Sequence, residues 1–135
     1  MLHRRKLAEG AEKLRVLVVE DEAMVAMLIE DMLIDCGCGA VSVAGRMDQA
    51  RQKLDSDTYD FAILDLNLSG EWTYPLADKL LEKGTPFVFA TGYGSTLLEG
   101  VYASVPTLQK PFQLEDVERV LRVVRGGAGL EAPPN

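Results

Sequence analysis

The sequence predicts an α/β domain: a single doubly wound, five-stranded parallel sheet with helices on both faces. Three observations carry that reading. Short apolar runs alternate along the chain with longer segments whose apolar residues recur at helical spacing. The runs LRVLVV, FAIL and FVFA are nearly continuous, as expected of strands covered on both faces. Strand and helix signals also take turns, the order that crossover connections convert into a parallel sheet.

Leu14 to Val19 is the first strand. Val25, Leu28, Ile29, Met32, Leu33 and Cys36 follow at helical spacing, and Gly37 and Gly39 stop that helix. Ala40 to Ala44 (AVSVA) is the second strand, and Met47, Ala50 and Leu54 mark one stripe of a short second helix. Phe61 to Leu64 is the third strand and runs straight into Asp65. Leu76, Leu80 and Leu81 line the third helix, with Pro75 acceptable in its first turn. Phe87 to Ala90 is the fourth strand, introduced by Gly84 and Pro86, and a weak stripe near Ser95 to Glu99 marks a short fourth helix. Val105 to Leu108 is the fifth strand, where Pro106 points to a sheet edge because proline cannot donate to a ladder. Leu114, Val117, Leu121 and Val124 line the last helix.

These elements place one domain over residues 14–125, after an N-terminal extension (1–13) and before a tail (126–135) whose GGAGLEAPPN composition predicts disorder. At 135 residues the chain can bury a real core, and 47% hydrophobic with 26% charged residues is ordinary for a globular domain. A net charge of -7 excludes a general nucleic-acid binder, which needs a basic face. No apolar run approaches the roughly 20 residues of a membrane-spanning helix. No apolar segment follows the charged N-terminus either, so it is not a secretory signal and the expected address is cytoplasmic. Cys36 and Cys38 lack a second ligand pair, a poor zinc site, and the single histidine, His3, lies in the N-terminal extension.

In doubly wound folds ligands bind beyond the carboxyl ends of the strands, so chemistry belongs on that rim. The first strand ends in Glu20, Asp21 and Glu22, the third in Asp65, the fourth in Thr91 and the fifth in Lys110. Singly these have simpler readings, Asp21 or Glu22 as a helix cap and Lys110 as a solvated charge. Together they supply what one reaction needs. Converging carboxylates favour a hard divalent cation such as Mg2+. An aspartate beside it can attack a phosphoryl group, and the metal and a lysine offset charge on the transferring oxygens. A hydroxyl at Thr91 can then donate to the product.

VVEDE, LDLNLSG, FATGYG and LQKPF, in this order and spacing, resemble the receiver domain of two-component response regulators across nearly all of residues 14–125. FATGYG with the preceding Pro86-Phe87 resembles the FATGUY subgroup, many of whose members are single-domain proteins. The resemblance implies a flavodoxin-like (βα)5 fold with strand order 2-1-3-4-5. It implies Asp65 as phospho-acceptor and Mg2+ held by Glu20, Asp21, Asp65 and the backbone carbonyl of Asn67. It further implies phosphoryl contacts from Thr91 and Lys110, and a cis bond before Pro111. The function implied is a stand-alone switch, phosphorylated by a sensor histidine kinase and catalysing only its own phosphorylation and dephosphorylation. Its signal leaves through a downstream protein partner or onward phosphotransfer, with no membrane or nucleic-acid partner, from a monomer or weak dimer.

One departure matters: Thr107 stands where most receivers carry Tyr or Phe, a departure the FATGUY subgroup shares. Tyr93 is either a substitute mobile aromatic or an exposed loop residue. The segment from Gly92 to Gly100, rich in glycine, is expected to become ordered on phosphorylation. A haloacid-dehalogenase-type hydrolase would need an aspartate where Asn67 stands. A pseudo-receiver would lack the acceptor or the lysine, and a nucleotide-binding domain would need a glycine-rich loop after the first strand.

Overall fold

The computed structural model describes residues 14–92, 98 and 100–126. Among the described residues the sheet strands and α-helices are β1 (Arg15–Val19), α1 (Ala23–Asp35), β2 (Ala40–Ala44), α2 (Met47–Ser56), β3 (Phe61–Asp65), α3 (Tyr74–Lys83), β4 (Phe87–Thr91), β5 (Thr107–Gln109) and α4 (Leu114–Arg125). The five strands form one sheet in the order β2-β1-β3-β4-β5, and every neighbouring pair is parallel. This is the doubly wound arrangement expected from the alternation.

Side-chain alternation along the strands builds two cores. Leu17, Val19, Ala62, Leu64, Phe87 and Phe89 face α2 and α3, meeting Met47, Ala50, Leu54, Leu76 and Leu80. Val16, Val18, Phe61, Ile63, Val88 and Leu108 face α1 and α4, meeting Ile29, Leu33, Val117 and Leu121. The three central strands therefore bury both faces, β3 and β4 at every residue, while the edge strands β2 and β5 are only partly covered. At about 25 cal/mol per Å² of apolar surface, this two-sided burial is the main source of stability. Gly84, in the left-handed region at φ 71, ends α3 where a Cβ would strain the backbone.

Several expectations need correction. Leu28, Leu81 and Leu114 belong to the predicted helical stripes but are 53%, 46% and 38% exposed, because each stripe is wider than the face its helix buries. Ala26 and Ala77 take those inward positions instead. Pro106 does not lie inside the fifth strand. It precedes Thr107, and its carbonyl accepts the Phe89 N–H at 3.1 Å, so the missing proline N–H costs no ladder bond. The strand is an edge strand, as expected.

Between β3 and α3 lies a feature the periodicity did not show. Asn67–Leu68 pairs antiparallel with Glu71–Trp72, with Ser69 and Gly70 as a two-residue turn. A 3-10 turn occupies Gly100–Tyr102. The N-terminal extension with His3, Tyr93, the proposed tail beyond Gly126, and all of the Ser95 to Glu99 helix except Leu98 lie outside the described residues. No helix of the described residues is long and apolar enough to cross a membrane.

Candidate functional site

The parallel register carries the ends of β1, β3, β4 and β5 to one rim. Glu20 follows β1 and is 2% exposed; Asp65 ends β3 and is 7% exposed; Thr91 ends β4 and is buried. Lys110 follows β5, its backbone N–H donating to the Thr91 carbonyl at 2.8 Å. The Lys110-Pro111 peptide bond is cis.

The Lys110 ammonium lies 2.8 Å from Glu20 Oε1 and 3.2 Å from Asp65 Oδ2, with its side chain 18% exposed. Glu20 Oε2 accepts the Glu22 N–H at 3.1 Å. Asp21 sits at the solvent edge of this cluster, and its Oδ2 accepts the Ser69 hydroxyl at 2.9 Å. Carboxylate oxygens of Glu20, Asp21 and Asp65 all lie within 4.8 Å of one another. Three carboxylates against one ammonium leave a surplus of negative charge in a largely buried place. An all-oxygen donor set of this kind fits a hard divalent cation such as Mg2+. The capping role considered for Glu22 is not seen: it occupies the N-cap of α1 without a side-chain cap bond.

Electrostatics follow from burial and charge. Desolvation, and next the neighbouring Glu20 charge, push the Asp65 carboxyl up to about 6 against the pull of Lys110. Burial alone would depress Lys110, but the hydrogen bond to Glu20 and the Asp65 charge raise it above the ordinary lysine value. Partial burial pushes Asp21 upward, yet the Ser69 hydroxyl, its own backbone N–H and Lys110 leave it below the usual aspartate value.

Two supporting residues were not found from sequence. Thr73, fully buried before α3, donates its hydroxyl to the Asp65 carbonyl at 2.7 Å, with the Leu66 carbonyl at 3.2 Å. Ser69 is the other. The only available signal for either was a small hydroxyl residue beside Gly70 or before Tyr74-Pro75, common turn chemistry. Asn67 donates its N–H toward Asp65 Oδ1 at 3.4 Å, while its side-chain oxygen accepts the Gly70 N–H at 2.9 Å. Thr107, the position expected to hold an aromatic in most receivers, is an exposed first residue of β5. The cysteines are free, with burial raising both thiols, and neither joins the acidic cluster.

Above the cluster opens a cavity of about 680 Å³. Asp21, Asp65, Thr91 and Lys110 form its polar side, and Leu28, Met32, Trp72 and Phe112 its apolar wall.

A five-stranded parallel sheet carrying an acidic pocket and a lysine at its carboxyl rim defines a class of small signalling domain. The response regulator receiver domain family matches residues 16–122, and the chain belongs to that family. Receivers are the phospho-accepting signalling domains of two-component systems. Among curated proteins, the chain is 28% identical over 116 residues to the sensory transduction protein LytR of Staphylococcus haemolyticus, covering 83% of this chain and 45% of that protein. The chain thus spans about half the length of that relative. Among solved structures, SdrG from Sphingomonas melonis is 33% identical with a TM-score of 0.69, covering 84% of this chain and 97% of that one. The receiver domain of the sensor histidine kinase PA1611 from Pseudomonas aeruginosa, solved with a magnesium ion in its active site cleft, shares the fold. Its TM-score is 0.69 at 23% identity, covering 84% of this chain and 98% of that one.

Proposed function

We propose that this chain is a phosphorylation switch of the FATGUY subgroup, taking a phosphoryl group from the phosphohistidine of a sensor kinase onto Asp65. The observation that carries the reading is Asp65 itself. It is a nearly buried carboxylate at the end of β3, 3.2 Å from Lys110 Nζ and beside the carboxylates of Glu20 and Asp21. An Asp65 oxygen attacks phosphorus, the phosphorus–nitrogen bond to the imidazole breaks, and the imidazole leaves as a neutral base after taking up a proton. Lys110 meets the negative charge on the transferring oxygens, and the Thr91 hydroxyl donates to one of them in the product.

Glu20, Asp21, Asp65 and the Asn67 backbone carbonyl would hold Mg2+, which when bound offsets charge on the phosphoryl oxygens. The magnesium-bound kinase receiver of Pseudomonas aeruginosa supports this assignment by its shared fold and its own metal. We place the receiver over residues 14–125 and its work in the cytoplasm, as a monomer or weak dimer. Its output is a protein contact or onward phosphotransfer. The FATGYG segment supports the subgroup reading. Incubation with acetyl phosphate tests the function by intact mass: one phosphoryl group is gained with Mg2+ and none in EDTA. Equal gain in both, or none in either, would contradict it.

A further inference from the structure

The hairpin after the acceptor contains an outlier. Ser69 and Gly70 both have positive φ, 51° and 89°, as the two central residues of a type I′ turn require. Gly70 suits that conformation. Ser69 does not: its Cβ is strained in the left-handed region, and glycine, asparagine or aspartate is the usual occupant. The flanks hold Ser69 there regardless. Asn67 pairs with Trp72, the Asn67 side chain accepts the Gly70 N–H at 2.9 Å, and Thr73 anchors the far end to the Asp65 carbonyl. A strained residue beside a site directs attention to what its side chain does.

Its hydroxyl donates to Asp21 Oδ2 across 48 positions of sequence, at 2.9 Å. We infer that Ser69 is a positioning residue for Asp21, orienting that carboxylate toward the divalent cation. The inference rests on the Mg2+ reading given above. Asp21 is the exposed member of the three carboxylates, so it is the one with most rotamer freedom to lose when a cation arrives. The hydroxyl removes that freedom beforehand. It occupies one lone pair of Oδ2 and leaves Oδ1 and the remaining lone pairs for the cation.

Trp72 supplies a direct readout, because it is the one tryptophan of the chain and lines the same cavity as Asp21 and Ser69. Its fluorescence should be titrated with MgCl2 alone in wild type, Ser69→Gly and Ser69→Ala, with urea unfolding of each metal-free protein alongside. Ser69→Gly removes the hydroxyl and the backbone strain together. Its Mg2+ dissociation constant should rise about three- to tenfold while its metal-free unfolding midpoint does not fall. Ser69→Ala removes the hydroxyl and keeps the strain, so it should show the same loss of Mg2+ affinity with a lower midpoint. A merely structural Ser69 would move stability and leave the Mg2+ constant of Ser69→Gly at the wild-type value, which overturns the inference alone. Tighter Mg2+ binding by Ser69→Gly would mean that the hydroxyl competes with the cation, and also overturns it. If wild type binds no Mg2+, by fluorescence or by thermal shift, the cation reading and this inference both fall.

Discussion

Lys110 Nζ is closer to Glu20 than to Asp65, at 2.8 Å against 3.2 Å. The lysine is therefore held chiefly by Glu20, a carboxylate of the proposed cation site. On the proposed mechanism a cation that engages Glu20 weakens that hold and releases the ammonium toward the phosphoryl group, so metal binding prepares Lys110 for its second role.

Removal of the ammonium tests this electrostatic arrangement. Lys110→Ala leaves Glu20 and Asp65 as neighbouring buried carboxylates without a counter-charge. The metal-free protein should lose about 2–3 kcal/mol, somewhat under the cost of breaking a fully buried pair because solvent reaches the lysine. Mg2+ should raise the melting temperature of Lys110→Ala more than that of wild type, since it supplies the missing positive charge. Equal Mg2+ increments by scanning calorimetry would contradict the arrangement.

The raised Asp65 carboxyl makes stability depend on pH in a definite direction. Its native value is about 6 and its ordinary value is 3.8. Between these the native state holds a proton that the unfolded state has released, so this group lowers stability as pH rises from about 4 to about 6. Lys110 is raised as well, so its slope has the same sign, but its contribution is fully present below its unfolded value and lost only in the alkaline range. Asp65→Asn should thus be more stable than wild type in EDTA at pH 7, by about 1–2 kcal/mol. Urea titrations from pH 4 to 8 should show that advantage shrinking toward pH 4, and a pH-independent difference would refute the assigned cause.

Thr73 offers a test of the support beneath the acceptor. Thr73→Val keeps the shape but removes the donor to the Asp65 carbonyl, leaving that buried oxygen without this bond. The expected cost is about 1–2 kcal/mol in urea unfolding. Acetyl phosphate labelling should also slow, because the end of β3 is less firmly held. Unchanged stability and labelling would show that the bond matters to neither.

Farther from the site, Tyr102 stacks on Tyr74 at 4.6 Å and donates its hydroxyl to Asp78 Oδ1 at 2.5 Å. That hydrogen bond, followed by desolvation and the Asp78 charge, pushes the phenol up to about 12. Tyr102→Phe should delete a step near pH 12 from the tyrosinate absorbance titration. Loss of a lower step instead would place the perturbed phenol elsewhere.

How much was legible in the sequence follows from what each signal measures. FAIL and FVFA read correctly because strands buried on both faces need apolar residues at every position. Glu20, Asp65, Thr91 and Lys110 could be brought together because a parallel sheet gathers its strand ends whatever their sequence separation. The Asn67–Trp72 ribbon escaped notice because its strands are too short for a period, and Ser-Gly is an unusual pair for its turn. Leu28 and Leu81 were misplaced for a different reason. Helical spacing identifies an apolar stripe without saying how wide a face the sheet covers, and Leu28 instead forms part of the cavity wall. The bonds from Thr73 and Ser69 are tertiary contacts, which no local pattern encodes.

The central claim is that Asp65, and no other carboxylate of the cluster, carries the phosphoryl group. Borohydride reduces an acyl phosphate to an alcohol and so marks its site permanently. Protein treated with acetyl phosphate and Mg2+, then reduced and mapped by peptide mass spectrometry, should contain homoserine at position 65 and unmodified Glu20 and Asp21. Asp65→Asn carried through the same steps should contain none. Reduction at Asp21 or Glu20 in wild type, or equal modification of the Asp65→Asn protein, would contradict the account.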